Sequence, residues 1–405
     1  MSSKRIGFLA LFVLFSIPIL GGCALVKGSE YKIGFVSSAT GNYASLGLPE
    51  AKTAEMIQKQ LDAQGGITGP DGVKHPVKII IYDDANEEDK TVSSVTRLIT
   101  EDEVIAVVSS TGSGTSVAEI PVCEENKTPC VSMASATSIT TDLMTDKEYK
   151  WMFKTQQNNW HAGGWQADYL KAKDLTDICI LYTNDEYDED YLTNYGTAAL
   201  SRGLKVKYEG SYSATDTEFS AQMAGVQASG CRAVEIGSTP PVASLVTIAV
   251  RNAMPSIPIT LGHGVCNQSY IKTAGEAAEG VVFPCGKVTV IDQLTDTDPQ
   301  KAVLQKYIDD YTAFTNGEAV STSGGHAWDA LEMIIDALGS LKNWMSLADQ
   351  RAAVRDYLET KIFIWPGISG TFSMNPTDHN GLTIDSLLLV TVKDGKWVAL
   401  SETDW

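Results

Sequence analysis

Histidine is scarce in this chain of 405 residues: five occur, at 75, 161, 263, 326 and 379, and they are widely scattered. There is no H-E-x-x-H helix and no C-x-x-C pair, so neither a zinc hydrolase nor a cysteine metal cluster is expected. The G-x-S-x-G elbow of serine hydrolases is missing too. The nearest approach to a phosphate loop, Gly280 to Lys287, fails because five residues separate its glycines and Val288 follows the lysine. Paired carboxylates occur at Asp83-Asp84, at the end of a strand-like run, where capping the next helix is the simpler role. With no catalytic constellation in sight, neither an enzyme nor a cofactor is expected. Basic residues are also in deficit, 31 against 50 acidic for a formal net charge of -19. Phosphate binding needs clustered lysine and arginine, so a nucleic-acid partner is excluded. Long apolar runs are missing beyond the first 20 residues, and no repeat with a period of about 20 to 50 residues is evident.

What is present begins with an address. Ser2, Ser3, Lys4 and Arg5 form a short basic start, and an apolar run from Ile6 to Leu20 ends in Gly21-Gly22-Cys23. That run is about 15 residues, below the roughly 20 that a helix needs to cross a bilayer, so it reads as a cleaved export signal. Leu20-Gly21-Gly22-Cys23 resembles the bacterial lipobox, which implies that Cys23 carries a diacylglyceryl thioether and becomes the mature N-terminus. The expected location is therefore the periplasm or the outer cell surface, with a lipid anchor in a membrane. Six further cysteines, at 123, 130, 179, 231, 266 and 285, lie in a chain that leaves the reducing cytosol. Disulfides are plausible there, although sequence does not fix their connectivity. The local pairs Cys123 with Cys130 and Cys266 with Cys285 are favoured. Cys179 and Cys231, each in an apolar strand-like run, are left open to being buried thiols.

The remaining 380 or so residues are too many for one compact core and suit two domains. From Tyr31 onward short β-rich runs alternate with helical patterns, the signature of an α/β fold with parallel sheets covered by helices. Strand candidates are 31–36, 77–82, 104–108 and 129–132, then 178–182, 206–208, 233–236 and 257–261. Near Val281 to Val290 the rhythm is lost, and Pro299 to Leu341 reads as long amphipathic helices. Two loops after strands consist of small residues: Thr111-Gly112-Ser113 and Ala134-Ser135-Ala136. In open parallel sheets ligands bind just beyond such strand ends.

An ordered set of motifs now carries a resemblance. It comprises Ile33-Gly34-Phe35, Thr40-Gly41-Asn42-Tyr43-Ala44-Ser45-Leu46-Gly47, Gly65-Gly66-Ile67 and Tyr82-Asp83-Asp84-Ala85. Ala118 to Pro121 with Pro129, then Trp151 and Phe153, and Ala277-Ala278-Glu279-Gly280 complete it. Over most of the mature chain the sequence resembles type I periplasmic binding proteins of the branched-chain amino acid (Leu/Ile/Val-binding) branch, which serve ABC importers. The resemblance implies two Rossmann-like lobes joined by three crossings, placed near Thr155, Lys287 and Gly381. The first lobe would hold residues 30–155 and 288–380, the second 156–287 and 381–405. A monomer would close by a hinge over a small-molecule solute and present it to an ABC permease. A sensor of the same fold, feeding a signalling partner, is the alternative.

The same resemblance assigns candidate binding residues. The solute's carboxylate would lie on Thr111, Gly112 and Ser113 and on Ala134, Ser135 and Ala136, where small residues let backbone N–H groups approach an anion. Tyr43, Trp160, Tyr187, Ser238 and Thr239 would supply aromatic and polar contacts. The acid that pairs with a ligand ammonium in amino-acid binders falls at His263, between two glycines. A plain amino acid is thereby in doubt, unless Asp185, Glu186 or Asp188 supplies the negative charge. The run from Asp185 to Asp190 otherwise reads as a solvated face.

Overall fold

The computed structural model describes residues 28–404; the expected signal segment and Cys23 lie outside the described residues. Five strands, β1 (Tyr31–Ser37), β2 (Val77–Asp83), β3 (Ala106–Ser109), β4 (Cys130–Ser132) and β5 (Met152–Lys154), form a parallel sheet in the order β2-β1-β3-β4-β5. A parallel sheet needs cover on both faces, and the strands read as near-continuous apolar runs for that reason. Ile33, Phe35, Val131 and Phe153 face helices α1 (Ala44–Gln64) and α10 (Thr322–Leu338). Val36, Val107 and Met152 face α2 (Glu88–Thr100) and α3 (Ser113–Glu125). Gly34 permits the close packing of α2, since a Cβ there would sit 2.8 Å from Leu98. The expected helix stop holds: Gly65 closes α1 at φ 72°, the left-handed conformation that glycine adopts without steric cost.

The second sheet comprises β6 (Asp177–Thr183), β7 (Lys205–Tyr212), β8 (Ala233–Gly237), β9 (Ile259–Leu261) and β10 (Val282–Gly286), with β13 (Leu387–Lys393) and β14 (Lys396–Ala399) added later in the chain. Its order is β7-β6-β8-β9-β10-β13-β14, parallel as far as β10 and antiparallel beyond. Helices α4 (Asn159–Ala172) and α5 (Glu186–Ser201) cover one face through Leu170, Tyr191 and Tyr195. On the other face lie α6 (Ser220–Ser229), α7 (Val242–Ala253) and α8 (Gln268–Ala274), through Val226, Val246 and Tyr270. The chain passes from the first sheet to the second after β5, and after β10 it returns to pack Leu304 and Tyr307 of α9 (Lys301–Thr315) into the first core. Helix α11 (Leu347–Lys361) and the hairpin β11 (Phe363–Pro366) with β12 (Thr371–Ser373) follow, before β13 re-enters the second sheet.

Two readings of the sequence are corrected. The stretch after Val281 does contain a strand: β10 is buried throughout. Pro284 and Gly286 mask it, and the proline is tolerated because β10 has a single register pair with β9. Cys179 is no lone thiol either, since it pairs with Cys231, which sits in the turn before β8 rather than in a strand. Cys123 pairs with Cys130 at an S–S distance of 2.05 Å, and Cys266 pairs with Cys285.

Candidate functional site

The carboxyl ends of both sheets open onto one narrow cavity. From the first sheet come Thr111 and Ser113 after β3, Met133, Ala134 and Ser135 after β4, and Gln156 after β5. Tyr43, Leu46 and Glu50 come from the entrance to α1 and its first turns. The second sheet contributes Tyr187 from the first turn of α5, Thr239 after β8, and His263 and Gly264 after β9. Thr322, Ser323 and His326 complete the wall from the first turns of α10. This is where a doubly wound sheet places its ligands, because strand ends leave loops and helix N-termini facing a shared crevice.

The two sides touch. Tyr43 Oη donates to Asp185 Oδ2 at 3.4 Å, and the Thr137 N–H to Asp190 Oδ1 at 3.0 Å. Ser138 Oγ donates to Glu186 Oε1 at 2.6 Å, and within the second side Asn159 Nδ2 donates to Asp190 Oδ2 at 2.7 Å. Asp185 also caps α5 by accepting the Asp188 N–H. The run from Asp185 to Asp190 is therefore not a plain solvated face: Asp188 is fully buried, and burial raises its carboxyl well above the ordinary range.

Within the cavity most hydroxyls are committed. Thr111 Oγ1 accepts the Ser38 N–H at 2.8 Å and donates to Glu50 Oε2 at 2.6 Å. Ser113 Oγ accepts the Ala136 N–H at 3.3 Å, and Ser135 Oγ donates to Asn159 Oδ1 at 3.3 Å. Two side chains of the wall, Tyr187 and His263, carry polar atoms that are shielded from water and lack a well-formed partner. The Tyr187 hydroxyl lies beside the backbone of Gly262 and Gly264 and finds no acceptor, although Tyr187 is 5% exposed. His263 is 4% exposed, and neither imidazole nitrogen has a well-formed partner, the Gln157 backbone giving only weak relief. Buried polar groups without partners are costly, so such a pair in a crevice marks a place where a ligand completes the bonding.

Burial governs the electrostatics of the wall. Burial lowers His263 and His326 to about 3, with Lys154 adding to the effect on His263, so both imidazoles are neutral at physiological pH. Burial pushes the Glu50 carboxyl well above its ordinary range against the opposing Thr111 hydrogen bond. Lys154 is fully buried under the Ala134–Ala136 loop, donating to the carbonyls of Ser135 at 2.6 Å and Ala136 at 2.9 Å. Desolvation lowers its ammonium to about 8, while Asp190, Glu148 and Asp378 hold it up.

Of the residues singled out from sequence, the cavity gathers Tyr43, Thr111, Ser113, Ala134, Ser135, Tyr187, Thr239 and His263. Gly112 faces instead an outer, acid-lined opening with Asn86, Glu88 and Glu189. Ala136 and Ser238 are fully buried behind the wall, where Ser238 pairs with Thr183 at 3.4 Å. Trp160 is corrected: it is 50% exposed and outside the cavity, because α4 turns its neighbours Asn159 and His161 inward. The sequence reading missed Glu50, Lys154, Gln156 and the start of α10. Ser321-Thr322-Ser323-Gly324-Gly325 repeats the small-residue signature of the other two loops, but it was absorbed into a helical stretch.

Residues 30–396 match the family model described as periplasmic binding protein. The chain belongs to the periplasmic binding protein family. An amino acid binding protein of Pseudomonas aeruginosa is 27% identical over 318 residues, which cover 76% of this chain and 79% of that protein. The Leu/Ile/Val-binding protein of Escherichia coli K12 is 22% identical, over 84% of this chain and 88% of the other. An extracellular ligand-binding receptor from Rhodopseudomonas palustris HaA2 superposes with a TM-score of 0.82 at 25% identity, covering 92% of this chain and 99% of its own. The resemblance to type I binding proteins is borne out, and with it the α/β fold. The family is one of solute-binding proteins, not enzymes. Among the described residues no helix is long and apolar enough to cross a membrane, and no cluster of metal-ligating side chains occurs.

Proposed function

We propose that this periplasmic binding protein captures a small carboxylate-bearing solute, an amino acid or a related organic acid, and delivers it to an ABC permease. The observation that carries the reading is the pair of unpartnered donors, Tyr187 and His263, in a crevice lined from both sheets. The two lobes, 30–155 with 288–380 and 156–287 with 381–405, open and close about the crossings near Thr155, Lys287 and Gly381. Closure buries the solute and creates the surface that the permease reads. The mature protein is a monomer held to the membrane by lipid on Cys23. The name of the Pseudomonas aeruginosa relative, an amino acid binding protein, supports a carboxylate ligand.

A thermal-shift panel on protein lacking residues 1 to 23 tests the reading, with amino acids in one set and aliphatic, aromatic and dicarboxylic acids in another. A ligand at 100 times its dissociation constant stabilises the folded state by about 2.7 kcal/mol. A shift in either set supports the proposal; no shift in both removes it.

A further inference from the structure

Glu50 is the single acidic side chain on the cavity wall, and neither lysine nor arginine lines that wall. Its side chain is 1% exposed. Hydrogen bonding fixes what the carboxyl can offer. Thr111 Oγ1 has accepted the Ser38 N–H and spends its own proton on Glu50 Oε2, while Oε1 makes no bond within the protein. An ionised Glu50 would therefore sit dry beside the carboxylate loops, with no cation against it and the Asp84 carboxyl nearby. A neutral Glu50 instead holds its acid proton on Oε1, free to donate into the cavity.

The surroundings point the same way. Lys154 lies just behind the Ser135 and Ala136 carbonyls, and α3 and α10 both begin at the wall, at Ser113 and at Thr322. Buried positive charge and helix N-termini attract an anion and repel an ammonium. His263 and Tyr187 are uncharged donors and supply no counter-charge for an amine. Leu46, Met133 and the rings of Tyr43 and Tyr187 offer the rest of the solute an apolar wall.

We propose that Glu50 acts as an uncharged hydrogen-bond donor to the solute, and that the cleft selects a monocarboxylate with an uncharged body over the corresponding amino acid. This rests on the reading of the cleft as a carboxylate site and narrows it to one class.

The test is calorimetry on the mature protein with matched pairs: leucine against 4-methylpentanoate, and phenylalanine against 3-phenylpropanoate. At least one desamino acid is expected to bind, about 100-fold more tightly than its amino partner, because a buried ammonium without a counter-charge is expensive. Glu50→Gln keeps a donor and no charge, so it should hold that affinity within about threefold, whereas Glu50→Ala should lose about tenfold or more. Thermal unfolding of both variants separates loss of binding from loss of fold, and the glutamine variant carries the test if the alanine variant fails to fold. Tighter binding of the amino acid, abolished by Glu50→Gln, would overturn the inference and make Glu50 the counter-ion of an ammonium, leaving the carboxylate site standing. Binding of neither class in the matched pairs and the broader panel removes both.

Discussion

Tyr43 and Asp185 meet across the cleft, one at the entrance to α1 and the other capping α5, with Oη to Oδ2 at 3.4 Å. The bond is long, and it joins loops that otherwise belong to different sheets, so it acts on closure more than on the solute. Tyr43→Phe keeps the ring and removes the bond. Its expected effect is a solute affinity weaker by about two- to fivefold, seen mainly as faster release in stopped-flow measurements. A loss of about a hundredfold would mean that the Tyr43 hydroxyl touches the solute directly.

Tyr187 offers a sharper signature, because its hydroxyl is buried without an acceptor from the protein. Tyr187→Phe should weaken solute binding by about tenfold or more, the worth of a hydrogen bond to a charged group. The same substitution should raise the melting temperature of the solute-free protein, since an unsatisfied buried hydroxyl costs about 1 kcal/mol or more. Opposite movements of affinity and stability identify a group reserved for the ligand. If both fall together, the hydroxyl has a structural partner instead.

His263 makes a prediction about pH. Its folded-state value is lowered from 6.5 to about 3, so between those values the unfolded chain binds the extra proton and stability drains away as pH falls. That contribution is fully present above pH 6.5. His263→Asn removes it, so the stability of the variant relative to the parent should rise progressively as the pH is lowered from 6.5 towards 4. Comparing the two proteins matters because Glu235 and Asp329, each raised to about 7, act with the opposite sign. A pH-independent difference in denaturant unfolding would mean that His263 is not desolvated. Solute affinity should be flat in this histidine's protonation from pH 6 to 8, since the ring stays neutral there.

The architecture was readable because apolar strands and amphipathic helices alternate in step, and most strand candidates fall within a few residues of their true bounds. Tyr187 and Thr239 were also readable, since they follow strand ends. Glu50 was hidden, because a carboxylate in the middle of α1 looks like any other helical acid until Thr111, 61 residues away, turns out to be its partner. Lys154 was hidden for a related reason: one lysine at the end of β5 declares no burial in sequence. Trp160 misled because an aromatic beside a strand end suggests a ligand contact, and only the rotation of α4 decides which neighbour faces in.

The proposed lipid anchor on Cys23 has a direct test. Replacing the cysteine by serine removes the thiol that the anchor requires, so Cys23→Ser should appear in the soluble fraction after cell breakage, with solute affinity unchanged. Retention with the membranes would mean that something other than a lipid on this cysteine holds the protein there.

The three cysteine pairs should not contribute equally. Cys179 and Cys231 are separated by 52 residues, Cys123 and Cys130 by 7. Chain-entropy arguments make the longer loop worth about 4 kcal/mol and the shorter about 2 kcal/mol, because the larger loop removes more freedom from the unfolded chain. The longer pair ties β6 to the turn that leads into β8, its neighbour in the second sheet, near the amino ends of both strands and away from the cleft at their carboxyl ends. Replacing Cys179 and Cys231 together by alanine should therefore lower the midpoint of denaturant unfolding more than replacing Cys123 and Cys130. Solute binding by the folded protein should stay at the parent's level in both variants, since neither pair borders the cleft. Equal midpoints would mean that the unfolded chain already holds Cys179 near Cys231, or that the oxidised pair adds nothing to the native state.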